Sequence, residues 1–529
     1  MRREFGRLAW LVLGPAVLAS DPTGALTAPT PVPFETPAAA RPRIVVTTDP
    51  ELDDANSMIR YLLYASDYRT VGLVYASSAV HWSGDMKGTR FAHADREYSK
   101  PGAVTCPCTS YRWPTGQLHI DRAIDAYAKV YDNLKMHDAN YPTPDYLRSI
   151  MRWGNTEFEG DISHDTAGSD LIRALLLDGE ATPVYLLAWG GESTIARALK
   201  SIEEEFGNSS DWPAIKARVS AKAVIVPSGH QDDTYVDYIR PVWPQVRYLE
   251  RADGVPVGYG AQSQVSVGDA AYYSTAWIRT HVLERGPMGA LYRGWGDGQQ
   301  MVPGDTYDFF GEKGQTAQEL ADAGFVVWTP PQETGSFISE GDTPTFFDFL
   351  GNGLEGYRSA TPGGWAGHRM TRDDQERMAA MYELFMKDPG ALTKLPRRPE
   401  DPFVGAAQRD FAGRLAWSTA SSFGAANHNP AIKVQTPAFV SARPGQTIRL
   451  SARASDPDGD AVTIRWWRWK AADDYPGSVN ISRADMPDAR LTVPRDAKAG
   501  QVFQILAEAT DSGSPRLSHY AKVLVTVAP

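Results

Sequence analysis

Short, uniformly apolar runs that alternate with helical patterns constrain the fold of this 529-residue chain most. The run RIVVTT at 43–48 precedes an amphipathic pattern from Asp54 to about Ala65, which is followed by TVGLVYASS at 70–78. This order predicts a βαβ unit with parallel strands and a right-handed crossover. Further apolar runs lie at 183–191, 222–229, 246–250 and 324–330. Strands this apolar are buried on both faces, so we expect an α/β domain with a doubly wound, mostly parallel sheet.

Helical patterns accompany these runs at 169–179 and 193–206. A longer pattern over 371–390 starts with Thr371 and Asp374, which have the spacing of a capping box, and ends at Pro389 and Gly390. Its apolar stripe has helical spacing and is predicted to pack on the core rather than to hold a cofactor; it comprises Met378, Met381, Tyr382 and Phe385.

The pattern changes near residue 431, after which only strands are predicted. Five runs at 447–455, 462–470, 489–494, 501–511 and 520–527 are separated by Asp, Gly and Pro turns. Short strands at this spacing predict an all-β sandwich. We therefore divide the chain into a leader and linker (1–42), an α/β domain (43–400), a connecting segment (401–430) and a β-sandwich (431–529).

The N-terminus has the pattern of an export signal. A basic start is followed by an apolar stretch from Leu8 to Ala19 that is too short to span a membrane, and a Pro- and Ala-rich linker continues to residue 42. Arg2 and Arg3 leave both the twin-arginine and the general secretory route open. We expect a secreted or periplasmic protein with no membrane partner beyond export. Only Cys106 and Cys108 are present, and whether they pair is left open.

The net charge of -11 argues against nucleic acid or an anionic membrane as the main partner. Negative charge is instead concentrated in TTDPELDDA, where Asp49, Asp53 and Asp54 follow the first strand. Ligands of parallel α/β sheets bind at the carboxyl ends of the strands, and carboxylates there suit calcium or magnesium. Capping of the helix N-terminus is the alternative for Asp53 and Asp54, but one aspartate satisfies that role. Three carboxylates therefore indicate a cation site.

TTDPELDDA resembles the calcium-binding signature of nucleoside hydrolases. The segments VYDNLKMHDANYPTPDYLRSI, LLAWGGESTIARAL, HQDD, EGDTPTFFDFLGNGL and GAANHNPAI are similar, in this order, to one branch of that group. This branch is the nucleoside-hydrolase-like, cellulose-binding family of exported bacterial proteins. SDPDGDAVTIRWWRWKAADDY and ATDSGSP resemble its C-terminal cadherin-like domain. The likeness covers nearly all of residues 43–529 and implies a nucleoside-hydrolase-like fold followed by a cadherin- or Ig-like sandwich.

The resemblance implies a calcium site with four contributors. Asp49 and Asp54 would be ligands, with Asp49 also acting as general base on the attacking water, and Asp53 would hold sugar hydroxyls. The carbonyl of Trp189 and the carboxylate of Asp342 would complete the ligand set. Three positions depart from nucleoside hydrolases: Thr47 replaces an Asp, residues 76–79 lack an Asn, and Gly341 replaces a His. The cation site is thus expected to be retained and the nucleoside pocket to be lost.

Several further residues are candidates for contacts with a sugar. Glu192 is a candidate general acid, because a glycosidic leaving group needs a proton and no His is placed for it; it could equally begin the following helix. His230, Gln231 and Asp232 follow a strand and are candidate sugar ligands, with a surface turn as the alternative. Stacking walls could come from the rings of Trp189, Trp295, His81 and Trp82, although each alone is more often a core residue. In the end domain, turn formation explains Asp456, Asp458 and Asp460 as well as calcium does.

Two functions follow from these expectations. The first is a calcium-dependent hydrolase of glycosidic or N-glycosidic bonds that acts on a polysaccharide or oligosaccharide. The second is a carbohydrate-binding protein that keeps the cation site but does no chemistry. An intact Asp49 favours the hydrolase.

Overall fold

The computed structural model describes residues 36, 40–94, 96–99, 106–387 and 395–529, with side chains omitted at 382 and 385–387. The predicted leader and most of its linker lie outside these ranges. The strands are β1 Arg43–Thr48, β2 Arg69–Tyr75, β3 Met151–Trp153, β4 Val184–Ala188, β5 Ala223–Pro227, β6 Arg247–Tyr248, β7 Arg251–Ala252, β8 His368–Arg369, β9 Ala431–Val434, β10 Phe439–Ala442, β11 Thr447–Ser455, β12 Thr463–Arg468, β13 Asn480–Ser482, β14 Asp488–Thr492, β15 Val502–Thr510 and β16 Ser518–Val527.

The helices are α1 Leu52–Leu63, α2 His119–Ala128, α3 Tyr131–His137, α4 Pro144–Ser149, α5 Ala167–Leu177, α6 Ser193–Phe206, α7 Trp212–Lys222, α8 Arg240–Val242, α9 Ala261–Gln264, α10 Thr275–Ile278, α11 Gly286–Leu291, α12 Ala317–Asp322, α13 Pro344–Phe347, α14 Arg372–Lys387 and α15 Val404–Thr419. Within the described ranges, no helix combines the length and apolar character needed to cross a bilayer.

A six-stranded parallel sheet forms the centre of the first domain. Its order is β3-β2-β1-β4-β5-β6, and the strands are paired in parallel throughout. Apolar clusters cover both faces, one of them formed with α5 and α6. The predicted α/β fold with a buried parallel sheet is therefore confirmed.

The run at 324–330 is not a strand, contrary to the sequence prediction. It lies beside an aromatic cluster, where Phe325, Val327 and Trp328 pack near Phe309 and Phe310. Its apolar residues are thus satisfied by packing without strand pairing, which is why periodicity misassigned it.

The helix α14 begins with the predicted capping contacts: Thr371 N–H donates to Asp374 Oδ2 (2.9 Å) and Asp374 N–H donates to Thr371 Oγ1 (3.2 Å). The prediction of a core-facing stripe is wrong at Met378, whose side chain is 42% exposed. The side chains of Tyr382 and Phe385 lie outside the described residues. The chain also forms α15 inside the segment interpreted as a connection, and its Val404, Ala407, Phe411 and Leu415 belong to the main core.

The second domain is the predicted β-sandwich, with sheets β10-β16-β15-β12 and β13-β14-β11-β9. It is hydrogen-bonded to the first domain: Tyr520 N–H donates to Asn352 O (2.8 Å), and Lys522 Nζ donates to Thr361 O (2.7 Å). Cys106 and Cys108 are joined by a disulfide, which answers the question that the sequence left open.

Candidate functional site

Asp49 follows β1 at the carboxyl edge of the parallel sheet and is 0% exposed. Its Oδ2 accepts a hydrogen bond from Ser78 Oγ (2.5 Å) and lies 3.1 Å from His81 Nδ1. The Ser78 hydroxyl is itself fixed, because it accepts hydrogen bonds from the N–H groups of Val80 and His81. Asp49 Oδ1 has no hydrogen-bond partner in the described part of the chain. One oxygen of this carboxylate is thus held in place, and the other can still accept a cation or a proton.

Asp53 and Asp54 occupy the first turn of α1, where the helix dipole favours negative charge. Thr48 Oγ1 donates to Asp54 Oδ1 and lies 2.9 Å from His119 Nε2. Asp53 is contacted by the hydroxyls of Tyr259 and Ser339, both at 3.4 Å. Burial, and then the charge of Asp49, raise the pKa of Asp53 to about 6. Repulsion between neighbouring carboxylates is therefore part of this site.

Glu51 and Asp342 extend the acidic cluster. Ligand atoms of Asp49, Glu51 and His81 lie within 4.8 Å of one another, and so do those of Glu51, Asp53 and Asp54. Asp342 belongs to neither group, but burial followed by the charge of Asp53 raises its pKa well above its usual range. Burial, and then the charge of Asp53, also raise the pKa of Glu51 well above its usual range. Glu51 is not among the site residues predicted from sequence, and His81 was predicted to form a stacking wall rather than to contact Asp49.

The cluster fits a hard cation. Besides Asp49 Oδ1, Asp342 Oδ2 is buried without a hydrogen-bond partner in the described residues. Burying carboxylates without a compensating charge is costly, and oxygen donors of this kind are the ligands that calcium and magnesium prefer. Arg112 lowers the pKa of Glu51, but its Nε is already 2.8 Å from Asp305 Oδ2. A bound cation would offset the remaining repulsion.

The three tryptophans that were predicted as stacking walls are buried. The ring of Trp189 is fully buried, and its Nε1 donates to Thr345 Oγ1 (2.7 Å). Trp295 is 4% exposed and packs against Phe309 and Phe310. Trp82 is also buried, in a cluster with Tyr98 and Tyr111. The carbonyl of Trp189, which was predicted as a cation ligand, accepts a hydrogen bond from Gln231 Nε2 (2.5 Å).

Glu192 lies in a second buried acidic group rather than among the carboxylates around Asp49. Tyr248 donates to its Oε1 (2.7 Å), and His230 Nδ1 is 4.0 Å from the same oxygen. Burial, and then the charge of Asp232, raise the pKa of Glu192 well above its usual range. The largest charge effect on this pKa comes from Asp232, which is not part of the Asp49 cluster.

The segment that follows β5, which is predicted from sequence to bind a sugar, makes hydrogen bonds and ring contacts within the fold. Asp232 accepts hydrogen bonds from the N–H of Ser193 (3.0 Å) and from Thr234, so it caps the N-terminus of α6. Gln231 holds the Trp189 carbonyl. The rings of Tyr235 and Tyr248 stack on each other at a centroid distance of 3.9 Å, and the His230 ring lies beside them at 5.3 and 5.6 Å.

Two cavities flank the acidic cluster. One of about 280 Å³ is lined by Ser228, Tyr259 and Gly341 among others, and a Cβ atom at Gly341 would overlap Asp53 Oδ2. The other, of about 120 Å³, is lined by Pro50 and His119 among others. Each cavity is thus lined by residues that adjoin the cluster in sequence or by contact.

The aspartates of the end domain have a separate arrangement. Ligand atoms of Asp456, Asp458 and Asp460 lie within 4.8 Å of one another. Asp456 Oδ1 accepts hydrogen bonds from the N–H groups of Asp458 (2.8 Å) and Asp460 (3.1 Å). These contacts are those of a turn between strands.

Comparisons with known families and structures agree with this architecture. Residues 43–368 match the family described as cellulose-binding Sde182, nucleoside hydrolase-like domain, and residues 447–527 match the C-terminal domain of the cellulose-binding protein Sde0182. A solved structure from Saccharophagus degradans, described as a nucleoside hydrolase-related protein associated with carbohydrate metabolism, is 24% identical, with a TM-score of 0.61. The alignment covers 92% of this chain and 100% of that one.

A PKD domain from human KIAA0319 is 12% identical, covering 20% of this chain and 84% of its own, with a TM-score of 0.15. No curated protein matches the sequence. The first of these structures shares the overall fold of the chain.

Proposed function

The chain belongs to the family of Sde182-like, cellulose-binding proteins with a nucleoside hydrolase-like domain, and from this membership we propose that it is an exported, calcium-dependent hydrolase of glycosidic or N-glycosidic bonds in a polysaccharide. Export is inferred from the basic and apolar pattern of residues 2–19. The polysaccharide partner is inferred from the cellulose-binding description of the family.

The available oxygen of Asp49 is the observation that carries the proposal. Ser78 and His81 fix Oδ2, so Oδ1 belongs to a rigid carboxylate and is buried without a hydrogen-bond partner in the described residues. In the proposed reaction, Oδ1 would accept the proton of the attacking water. A positioned general base of this kind contributes roughly 10²- to 10⁴-fold to a rate. Calcium at the cluster would supply positive charge that orients and polarises oxygen groups. Asp49, Asp54 and Asp342 would hold it, with Glu51 beside them.

A binding protein without chemistry is the second candidate, and one observation favours it. Glu192, the predicted general acid, contacts Tyr248 and lies in a different buried group from Asp49. A glycosidic leaving group needs a proton, and the carboxyl group of Glu192 contacts Tyr248 rather than the carboxylates around Asp49.

A substrate screen with purified full-length protein separates the two functions. Wild type with calcium is compared with Asp49→Asn, and with Asp456→Asn as an acidic control in the end domain. The hydrolase proposal expects turnover of at least one glycan or glycoside by wild type and by the control, and its loss in Asp49→Asn without loss of fold by circular dichroism. Retention on cellulose with no turnover by wild type would support the binding protein instead.

A further inference from the structure

Two tryptophans form an exposed aromatic surface at the same sheet edge as the acidic cluster. Trp153, the last residue of β3, is 52% exposed although it is among the largest apolar side chains. Trp113 is partly exposed, and the two ring centroids lie 6.5 Å apart with an interplanar angle of 40°. Single exposed apolar residues are common on proteins, so the position of this pair matters more than its exposure.

Strand register places the pair beside the cation site. Thr48 of β1 is paired with Tyr75 of β2, and Tyr75 is paired with Trp153 of β3. These residues end their strands, so Trp153 lies two strand spacings, about 10 Å, from Thr48 across the sheet. Asp49 directly follows Thr48. The tryptophan surface and the acidic cluster therefore share the edge at which parallel α/β sheets bind ligands.

Side-chain contacts run continuously between the two features. The ring centroid of Trp153 is 4.8 Å from that of Tyr75, which is 5.6 Å from that of His119. His119 Nε2 lies 2.9 Å from the Thr48 hydroxyl, which donates to Asp54. The 120 Å³ cavity makes the same connection, since it is lined by Pro114, which follows Trp113, and by Pro50, which follows Asp49.

The chemistry of the surface fits a sugar ring. An indole offers a flat apolar face for C–H groups and an N–H donor at its edge. Neither Trp113 nor Trp153 makes a hydrogen bond through Nε1 to any residue that the structure describes, so both donors can reach a hydroxyl oxygen of a ligand. A β-linked glucose unit has equatorial ring hydroxyls, which leave both of its ring faces apolar and flat. A nucleoside or a single small glycoside would fill the acidic site without reaching this surface.

We propose that Trp113 and Trp153 form a binding surface for glucose units of a β-linked glucan, positioned so that the same glycan chain extends through the cavity at Pro50 to the acidic cluster. The assignment of a glycan to the acidic cluster rests on the proposed function. The binding surface itself does not require turnover.

Binding isotherms of the full-length protein test the proposal. The probes are microcrystalline cellulose and a soluble β-1,4-linked glucose hexamer, with an α-1,4-linked glucan and inosine for comparison. Trp153→Ala and Trp113→Ala are each expected to weaken hexamer binding by about tenfold, since each loses one ring contact. Trp153→Phe keeps an aromatic face, so its affinity for the hexamer should fall less than that of Trp153→Ala. Phe439→Ala is the matched control, because Phe439 is 62% exposed but lies in the end domain.

The proposal is overturned if wild type does not bind the hexamer, if the tryptophan variants bind as wild type does, or if the α-linked glucan binds equally well. Thermal denaturation verifies that each variant remains folded. Turnover of the hexamer by wild type is assayed beside binding, which makes failure of the hydrolase separable from failure of the surface. Binding that depends on the tryptophans, without turnover by wild type, would leave the surface standing and reject the hydrolase.

Discussion

His81 Nδ1 lies 3.1 Å from Asp49 Oδ2, and both side chains are buried. The imidazole therefore holds the carboxylate from the side opposite its available oxygen. Burial, and then Arg112, lower the pKa of His81, so the ring is neutral and its Nδ1–H is the donor to Asp49. Ser78 acts on the same oxygen, so the orientation of Asp49 depends on two residues from the loop after β2.

Loss of these contacts is expected to weaken calcium binding. Groups that orient a cation ligand are typically worth 10- to 100-fold in affinity. We expect His81→Ala and Ser78→Ala each to raise the calcium dissociation constant by about that factor, measured by isothermal titration calorimetry. His164→Ala is the control, because His164 is exposed and far from Asp49 in sequence. An unchanged constant in both variants would contradict the role of the loop.

Calcium is expected to stabilise the folded protein by binding at Asp342 and its neighbours. A ligand at 100 times its dissociation constant adds about 2.7 kcal/mol to the free energy of unfolding. The melting temperature should therefore rise with calcium and fall with a chelator in wild type, but not in Asp342→Asn. Asp456→Asn, in the end domain, should respond as wild type does. The reverse result would assign the cation to the end domain.

Glu192 gives the protein a pH-dependent stability. The pKa of this carboxyl group is raised in the folded state. Its contribution to the free energy of unfolding is therefore fully present below the unfolded pKa of about 4.5, and it is lost as pH rises through the folded pKa. Glu192→Gln keeps an acceptor for the Tyr248 hydroxyl and removes the cost of ionising a buried carboxyl group. We expect the free energy of unfolding of the variant to exceed that of wild type above the folded pKa and to be nearly equal to it at pH 4. Urea denaturation at a series of pH values measures the difference.

A fully buried ion pair ties α1 to the loop that carries Asp342. Arg60 Nε lies 2.6 Å from Glu340 Oε2, and Arg60 also donates to Gln408 of α15 (2.7 Å). Glu340→Gln leaves the guanidinium without its charge partner, and breaking such a pair costs about 3 to 5 kcal/mol. Chemical denaturation should show this loss. The double variant Arg60→Met/Glu340→Met should lose less free energy of unfolding than the two single variants lose in total, because it leaves no buried charge.

The central strands and α6 could be predicted because their apolar periodicity reflects burial directly. The helix α15 could not, since residues around nearly its whole circumference are buried, including Gln408, Asp410 and Arg414, and such a helix has no polar face. At the site, Asp49, Asp53 and Asp54 were found because they adjoin one strand end. Partners from distant segments, such as His81, were assigned other roles, because sequence does not show which loops meet. The exposure of Trp153 is equally invisible before the fold is known.

The position of α15 between the two domains restricts how this protein can be divided or recombined. Its residues complete the core beneath α1, while Arg409 donates to Arg516 O of the sandwich (3.0 Å), and Lys522 reaches back to Thr361. A gene fragment that ends before residue 404 would encode a sheet with an open core, and a sandwich transferred alone would expose the surface that it buries here. Recombination within this family is thus expected to transfer both domains together with the intervening helix.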